Sequence, residues 1–164
     1  MTIYDIAGGN NDYTSIDDAI NGLPLSLTQN IVFNIYADQI NITAIVPNNF
    51  TSNGYSLTFQ SNDNTKRKLW TNGVWLFQAN DGKTYYNLNM NFYNLDVMGT
   101  FGSYGFNDQG SGDATFRVWN ADKCVLRSGQ AYGPVATTKS CMINITNSIS
   151  YGSITCVGAG GLYL

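Results

Sequence analysis

Asn91-Phe92-Tyr93-Asn94-Leu95-Asp96-Val97, Arg117-Val118-Trp119-Asn120-Ala121-Asp122-Lys123 and Asn144-Ile145-Thr146-Asn147-Ser148-Ile149-Ser150 are three versions of one phrase. Each holds an apolar residue, a β-former, then an asparagine. Phe92, Val118 and Ile145 anchor them at spacings of 118 − 92 = 26 and 145 − 118 = 27 residues. Strand-like content repeated at this period is the signature of a coil that stacks on itself. The repeat predicts an all-β protein of parallel strands, with the asparagines at its bends (Asn94, Asn120, Asn147) stacking as an amide ladder.

Working outward, Val32 is out of phase but Ile31, Phe33 and Ile35 alternate, as do Ile40 and Ile42, so two strands meet near Ala37-Asp38. Tyr55 to Phe59 is the next strand, with Leu57 and Phe59 inward. Anchors at Ile35, Phe59, Phe92, Val118 and Ile145 then give about five rungs. The long third interval places an insertion within residues 62–87, where Asn72-Gly73 between apolar runs predicts a hairpin. Residues 99–113 and 129–140 read as further loops.

The N-terminal segment, residues 1–29, differs. Thr2 to Ala7 is a short strand and Gly8-Gly9-Asn10-Asn11 a turn. Tyr13 to Gly22 is the one good helix: Thr14 or Ser15 caps it, Asp17 and Asp18 follow, and Ile16, Ala19 and Ile20 make one apolar face. Asn21-Gly22 and Pro24 stop it. So short a helix needs support, and the open end of a strand stack is the surface it is expected to cover. The whole chain, 1–164, reads as a single domain, with residues 30–164 forming the stacked rungs.

Composition agrees and excludes several functions. Charged residues are only 12%, and all eleven acids are Asp, a turn former, with no Glu. A net charge of −3 argues against nucleic acid as a partner. No apolar run reaches the ~18 residues of a membrane span, and the N-terminus lacks the pattern of a signal peptide. Cys124, Cys141 and Cys156 are odd in number and lack metal-ligand spacing, so they read as free thiols in a reducing compartment. With no His, a His-based triad is out; no His and scattered Cys argue against a zinc site, and no phosphate-binding loop is present. No cofactor or metal is expected.

Gly8-Gly9-x-x-Asp12-Tyr13-Thr14-Ser15-Ile16-x-x-Ala19-Ile20, followed by a proline and an apolar strand, resembles the entry to right-handed parallel β-helix proteins. That family includes pectate-lyase-like enzymes, bacteriophage tailspikes and trimeric cement (decoration) proteins of phage capsids. The resemblance implies a right-handed parallel β-helix whose short helix caps the first rung. Enzymes and inert scaffolds share this entry, so function must be sought in a site.

Two groups compete for that role. Asp63, Asp96 and Asp122 each lie four residues after an anchor, which would stack them on one face as a catalytic or Ca²⁺-binding column; Arg117, Lys123 and Arg127 lie near as bases. The bland reading makes each an ordinary turn Asp. Trp70, Trp75 and Phe77, with Leu162, Tyr163 and Leu164 at the end, form the second group: either hydrophobic filling or an anchor for a partner. The expectation that follows is a non-enzymatic structural virion protein, made in the host cytoplasm. It would be a homotrimer that binds the major capsid or another virion protein and stabilises the shell. The alternative is a tailspike-like or pectate-lyase-like protein that binds or cleaves a glycan in a groove lined by the three Asp and Trp119.

Overall fold

The computed structural model describes residues 1–42, 52–71, 77–79, 89–98, 106–108, 116–127, 131–132, 140–151 and 161–163. The chain opens with β1 (Thr2–Ile6), α1 (Ile16–Asn21), β2 (Ile31–Ile35) and β3 (Gln39–Ile42). Three triplets of strands follow: β4 (Ser56–Ser61), β5 (Arg67–Thr71) and β6 (Phe77–Ala79); then β7 (Asn89–Tyr93), β8 (Leu95–Met98) and β9 (Phe106–Asp108); then β10 (Phe116–Asp122), β11 (Val125–Leu126) and β12 (Ala131–Tyr132). Last come β13 (Ser140–Thr146), β14 (Ile149–Ser150) and β15 (Gly161–Tyr163).

Among the described residues these strands form three sheets, in the orders β1-β2-β4-β7-β10-β13-β15, β14-β11-β8-β5-β3 and β12-β9-β6. Each triplet gives one strand to each sheet in turn, and every pairing is parallel. Parallel neighbours cannot be joined by a tight turn, so the chain must travel around before it pairs again. Among the described residues the architecture is all-β with one short helix, and compatible with a β-helix-like coil.

Three expectations need correction. The strands on either side of Asn72-Gly73 do not pair with each other as a hairpin would require: β5 pairs with β3 and β8, while β6 pairs with β9 in a different sheet. Asn72 and Gly73 themselves lie outside the described residues. The apparent insertion and the two later loops each supply a strand of the third sheet, β6, β9 and β12. These strands are two or three residues long, too short to show a period against their surroundings.

The register also differs from the anchors. Phe33 pairs with Phe59, Phe59 with Phe92, Phe92 with Ala121, and Ala121 with Ile145. The first anchor is therefore Phe33 rather than Ile35, a slip of two that stays on the same face. The fourth is Ala121 rather than Val118, a slip of three that crosses to the other. Val118 pairs with Asn89; the inward residue is an alanine, too small to stand out beside Val118 and Trp119.

That register builds the core. The rings of Tyr4, Phe33, Phe59 and Phe92 stack at centroid separations of 6.0, 5.2 and 5.4 Å, and Phe33, Phe59 and Phe92 are fully buried. Ile31, Leu57 and Met90 make a second buried row beside them. Leu69, Val97 and Leu126 of the second sheet close the core from the other side.

The outward row of the first sheet carries the amide ladder, but with other asparagines. Asn91 Nδ2 donates to Thr58 Oγ1 at 3.1 Å, Asn120 Nδ2 to Asn91 Oδ1 at 2.7 Å, and Asn144 Nδ2 to Asn120 Oδ1 at 2.7 Å. Of the expected trio only Asn120 belongs to it. Asn94 and Asn147 sit instead at the turn after the sheet, with φ of 54° and 49°, as does Lys123 at 54°. Asparagine tolerates this left-handed backbone better than most residues, so the repeated Asn has two distinct jobs. Replacing Asn120 with Ala removes both of its ladder bonds and is expected to cost about 1–2 kcal/mol in urea unfolding.

The helix forms on the expected residues and is shorter at both ends. Ser15 caps it, accepting from Asp18 N at 3.1 Å, while the Asp18 carboxylate accepts from Thr14 Oγ1 at 2.6 Å and Ser15 Oγ at 2.8 Å. Ile16, Ala19 and Ile20 are buried. Ile16 N donates to the buried Gln39 Oε1 at 3.0 Å, which ties the helix to β3 at the edge of the second sheet. Gly22 ends the helix without a left-handed cap, at φ −81°. Its lack of a side chain serves packing, since a Cβ there would lie 2.9 Å from the Tyr13 hydroxyl.

Cys124 is a free, buried thiol beneath this framework. Burial pushes it up from an ordinary 9.0 to about 11. The unfolded chain therefore sheds this proton first, and the stability tied to it is intact below pH 9 and lost as pH rises towards 11. Urea midpoints across that window should fall more steeply for the wild type than for Cys124→Ala. At neutral pH, iodoacetamide should label Cys124 only after unfolding.

Candidate functional site

The three carboxylates occupy three different places. Asp63 lies in the turn after β4, where Oδ1 accepts from Thr65 N at 2.7 Å and Oδ2 from Arg67 Nη2 at 2.8 Å. The Thr65 amide above all holds its carboxyl below the usual carboxylate range. Asp122 ends β10 in the first sheet, in register with Tyr93 and Thr146. Its Oδ1 accepts from Asn147 Nδ2 and Thr146 Oγ1, each at 2.8 Å, and these two bonds lower its pKa. Asp96 belongs to β8 in the second sheet, in register with Lys68 and Val125.

They do not form a column. The equal offset from the anchors counted Asp122 from Val118, and the true counterpart of Phe92 is Ala121. Asp122 contributes as turn chemistry: Asp122→Asn should remove its share of the acid dependence of stability. That share is present above the unfolded carboxylate's range and lost as pH falls through the depressed folded value.

Asp96 is different in kind. It is 7% exposed, and Arg127 Nε donates to its Oδ1 at 2.7 Å and Oδ2 at 2.8 Å. Trp70 Nε1 donates to the same Oδ1 at 3.3 Å. The Arg127 guanidinium lies 5.7 Å from the centre of the Tyr151 ring, and Lys68 Nζ lies 4.7 Å from that of Trp70 while pairing with Asp38 at 3.7 Å. These residues project from the outward rows of the second sheet, because their neighbours Leu69, Val97 and Leu126 point into the core. The result is a clasp of alternating rings and charges from β3 to β14.

Sequence reasoning found Trp70 and Asp96 separately but missed their contact, along with Asp38, Lys68 and Tyr151. The clue available was a shared i, i+2 spacing, Lys68-x-Trp70 and Asp96-x-Met98, on neighbouring strands. Lys66 was missed too: its Nζ donates to Asn94 Oδ1 at 3.1 Å and to the Lys123 carbonyl, pinning successive turns together. Lys123 itself donates to Tyr93 Oη at 2.8 Å.

Of the remaining expected residues, Phe77 lies in β6 with its backbone paired to Phe106, and Leu162 and Tyr163 lie in β15 paired to Ile143 and Asn144. Trp75 and Leu164 lie outside the described residues. Trp119 and Arg117 belong to β10, Trp119 opposite the fully buried Met90. Among the described residues no cluster of three or more potential metal ligands occurs, and no helix is long and apolar enough to cross a membrane. No family model matches the chain, and no similar curated protein or solved structure is found.

Proposed function

We propose that the chain is a structural protein of a bacteriophage virion: a right-handed parallel β-helix of about five rungs that assembles as a homotrimer and cements the capsid shell. The observation that carries this reading is the use made of the carboxylates. Asp63 and Asp122 hold turns, and Asp96 is bound to Arg127 and Trp70. These three carboxylates are thus spent on holding turns and neighbouring strands in place. A rigid coil of this kind serves to present surface, and a ligand of the assembled shell stabilises it by mass action. The entry motif supports the same class.

The test is the mass of the purified protein by light scattering at two concentrations, then co-sedimentation with purified shells of its virus. A trimer that is retained and raises the temperature at which the shells rupture is the expected result. A monomer that stays in the supernatant would sink the proposal.

One observation favours the glycan reading instead: an aromatic ring and a carboxylate, Trp70 and Asp96, adjoin on an outward face. That reading predicts that Asp96→Asn abolishes activity on a polysaccharide while the fold survives. Unchanged activity, or no glycan affinity in the wild type, would remove it.

A further inference from the structure

The two larger sheets turn very different outer faces to their surroundings. On the first, most of the outward row is the hydrogen-bonded series Thr58, Asn91, Asn120 and Asn144, which water solvates well, with Val32 and the half-exposed Ile3 at its end. On the second, Ile40 and Ile149 are each 56% exposed and Tyr151 is 69% exposed, with Trp70, Met98 and Val125 partly exposed between them. The register sets five of them in two adjoining rows: Ile40, Trp70 and Met98 pair across β3, β5 and β8, and Val125 pairs with Ile149, with Tyr151 following just after β14 beside Arg127. Large apolar side chains scattered singly need no explanation, whereas a contiguous set on one face marks an interaction site.

Charge decides what fits it. The face carries two cations and two anions, and each is already paired within it, Lys68 with Asp38 and Arg127 with Asp96. Its net charge is therefore zero in a chain whose net charge is −3. A strongly basic or acidic partner finds nothing there to complement. A second copy brings the same neutral, apolar face, so it buries apolar area without opposing like charges. We infer that the outer face of the second sheet is the surface through which copies of this chain associate. The inference rests on the oligomeric scaffold proposed above and names the face that builds it.

Ile40→Asp and Ile149→Asp test it. Both positions are more than half exposed in the single chain, so neither change disturbs the core. Each buries an unpaired carboxylate if copies meet there, and the double variant should weaken association by about 100-fold or more. Light scattering across a dilution series reads this, with circular dichroism confirming that the variant is folded. The second measurement needs no variant: in the concentrated wild type, tetranitromethane should nitrate Tyr151 far more slowly than Tyr55, which is 38% exposed and lies elsewhere. If the double variant does not fold, this protection decides.

Association unchanged in a folded double variant overturns the inference, as does Tyr151 nitrated as readily as Tyr55 in the oligomer. Either result leaves an oligomeric scaffold standing, with its face free for another protein. A wild type that is monomeric at every concentration overturns the inference and the oligomer together.

Discussion

Replacing Phe59 with alanine is expected to destabilise the fold by about 3–5 kcal/mol, a large share of the roughly 5–15 kcal/mol that holds an ordinary domain folded. Phe59 is fully buried at the centre of the ring stack, 5.2 Å from Phe33 and 5.4 Å from Phe92 between ring centres. Its loss removes apolar burial, interrupts two stacking contacts and leaves a cavity. The strands on either side are held at the inter-strand spacing by their backbone ladders and cannot collapse into the gap. Phe59→Leu keeps most of the volume and should cost less than half as much. Tyr4→Ala, at the half-buried end of the stack, should also cost less than Phe59→Ala. Urea unfolding followed by circular dichroism measures all three, and an order in which Tyr4→Ala costs more than Phe59→Ala would contradict this account of the core.

The second large effect is an asymmetry within the clasp. Arg127→Ala should cost about 2–3 kcal/mol, and Asp96→Asn only about 1 kcal/mol. The Arg127 side chain is 44% exposed and that of Asp96 10% exposed. Removing the arginine strands a nearly buried carboxylate with Trp70 as its remaining partner shown here, whereas removing the carboxylate's charge leaves an arginine that water can solvate. Part of the Arg127→Ala cost is lost packing of its stem and of the contact with Tyr151. Arg127→Lys should rescue little, because the ammonium cannot reproduce the guanidinium's contact with both carboxylate oxygens. Equal costs for the two removals would show that the pair is more exposed in solution than its geometry implies.

Much of the architecture was legible in residue order because its causes are local. Alternation at Ile31, Phe33 and Ile35, and again at Leu57 and Phe59, states which face of a strand is apolar, and a period of two needs only neighbours to be seen. Ser15 and Asp18 cap α1 through bonds that span three residues. The recurrence of the phrase around Phe92 and Ile145 announced a stack because each unit lacks a core of its own. Those features, the all-β class, the parallel repeat and the one helix, were determined by the sequence alone.

What only the tertiary structure decided depends on register, which links residues some thirty positions apart. Whether Ala121 or Val118 lies over Phe92 shifts every outward side chain of that strand to the other face. That choice took Asp122 out of the expected column, while Asp63 and Asp96 part because one lies in the turn after β4 and the other in β8 of the second sheet. The same choice moved the amide ladder to Asn91, Asn120 and Asn144, while the separate register of the second sheet brought Trp70, Asp96 and Arg127 together. A carboxylate's role is set by its partners, and here the partners come from neighbouring coils. Local sequence therefore specifies the strand, while stacking against the next repeat specifies what its side chains do.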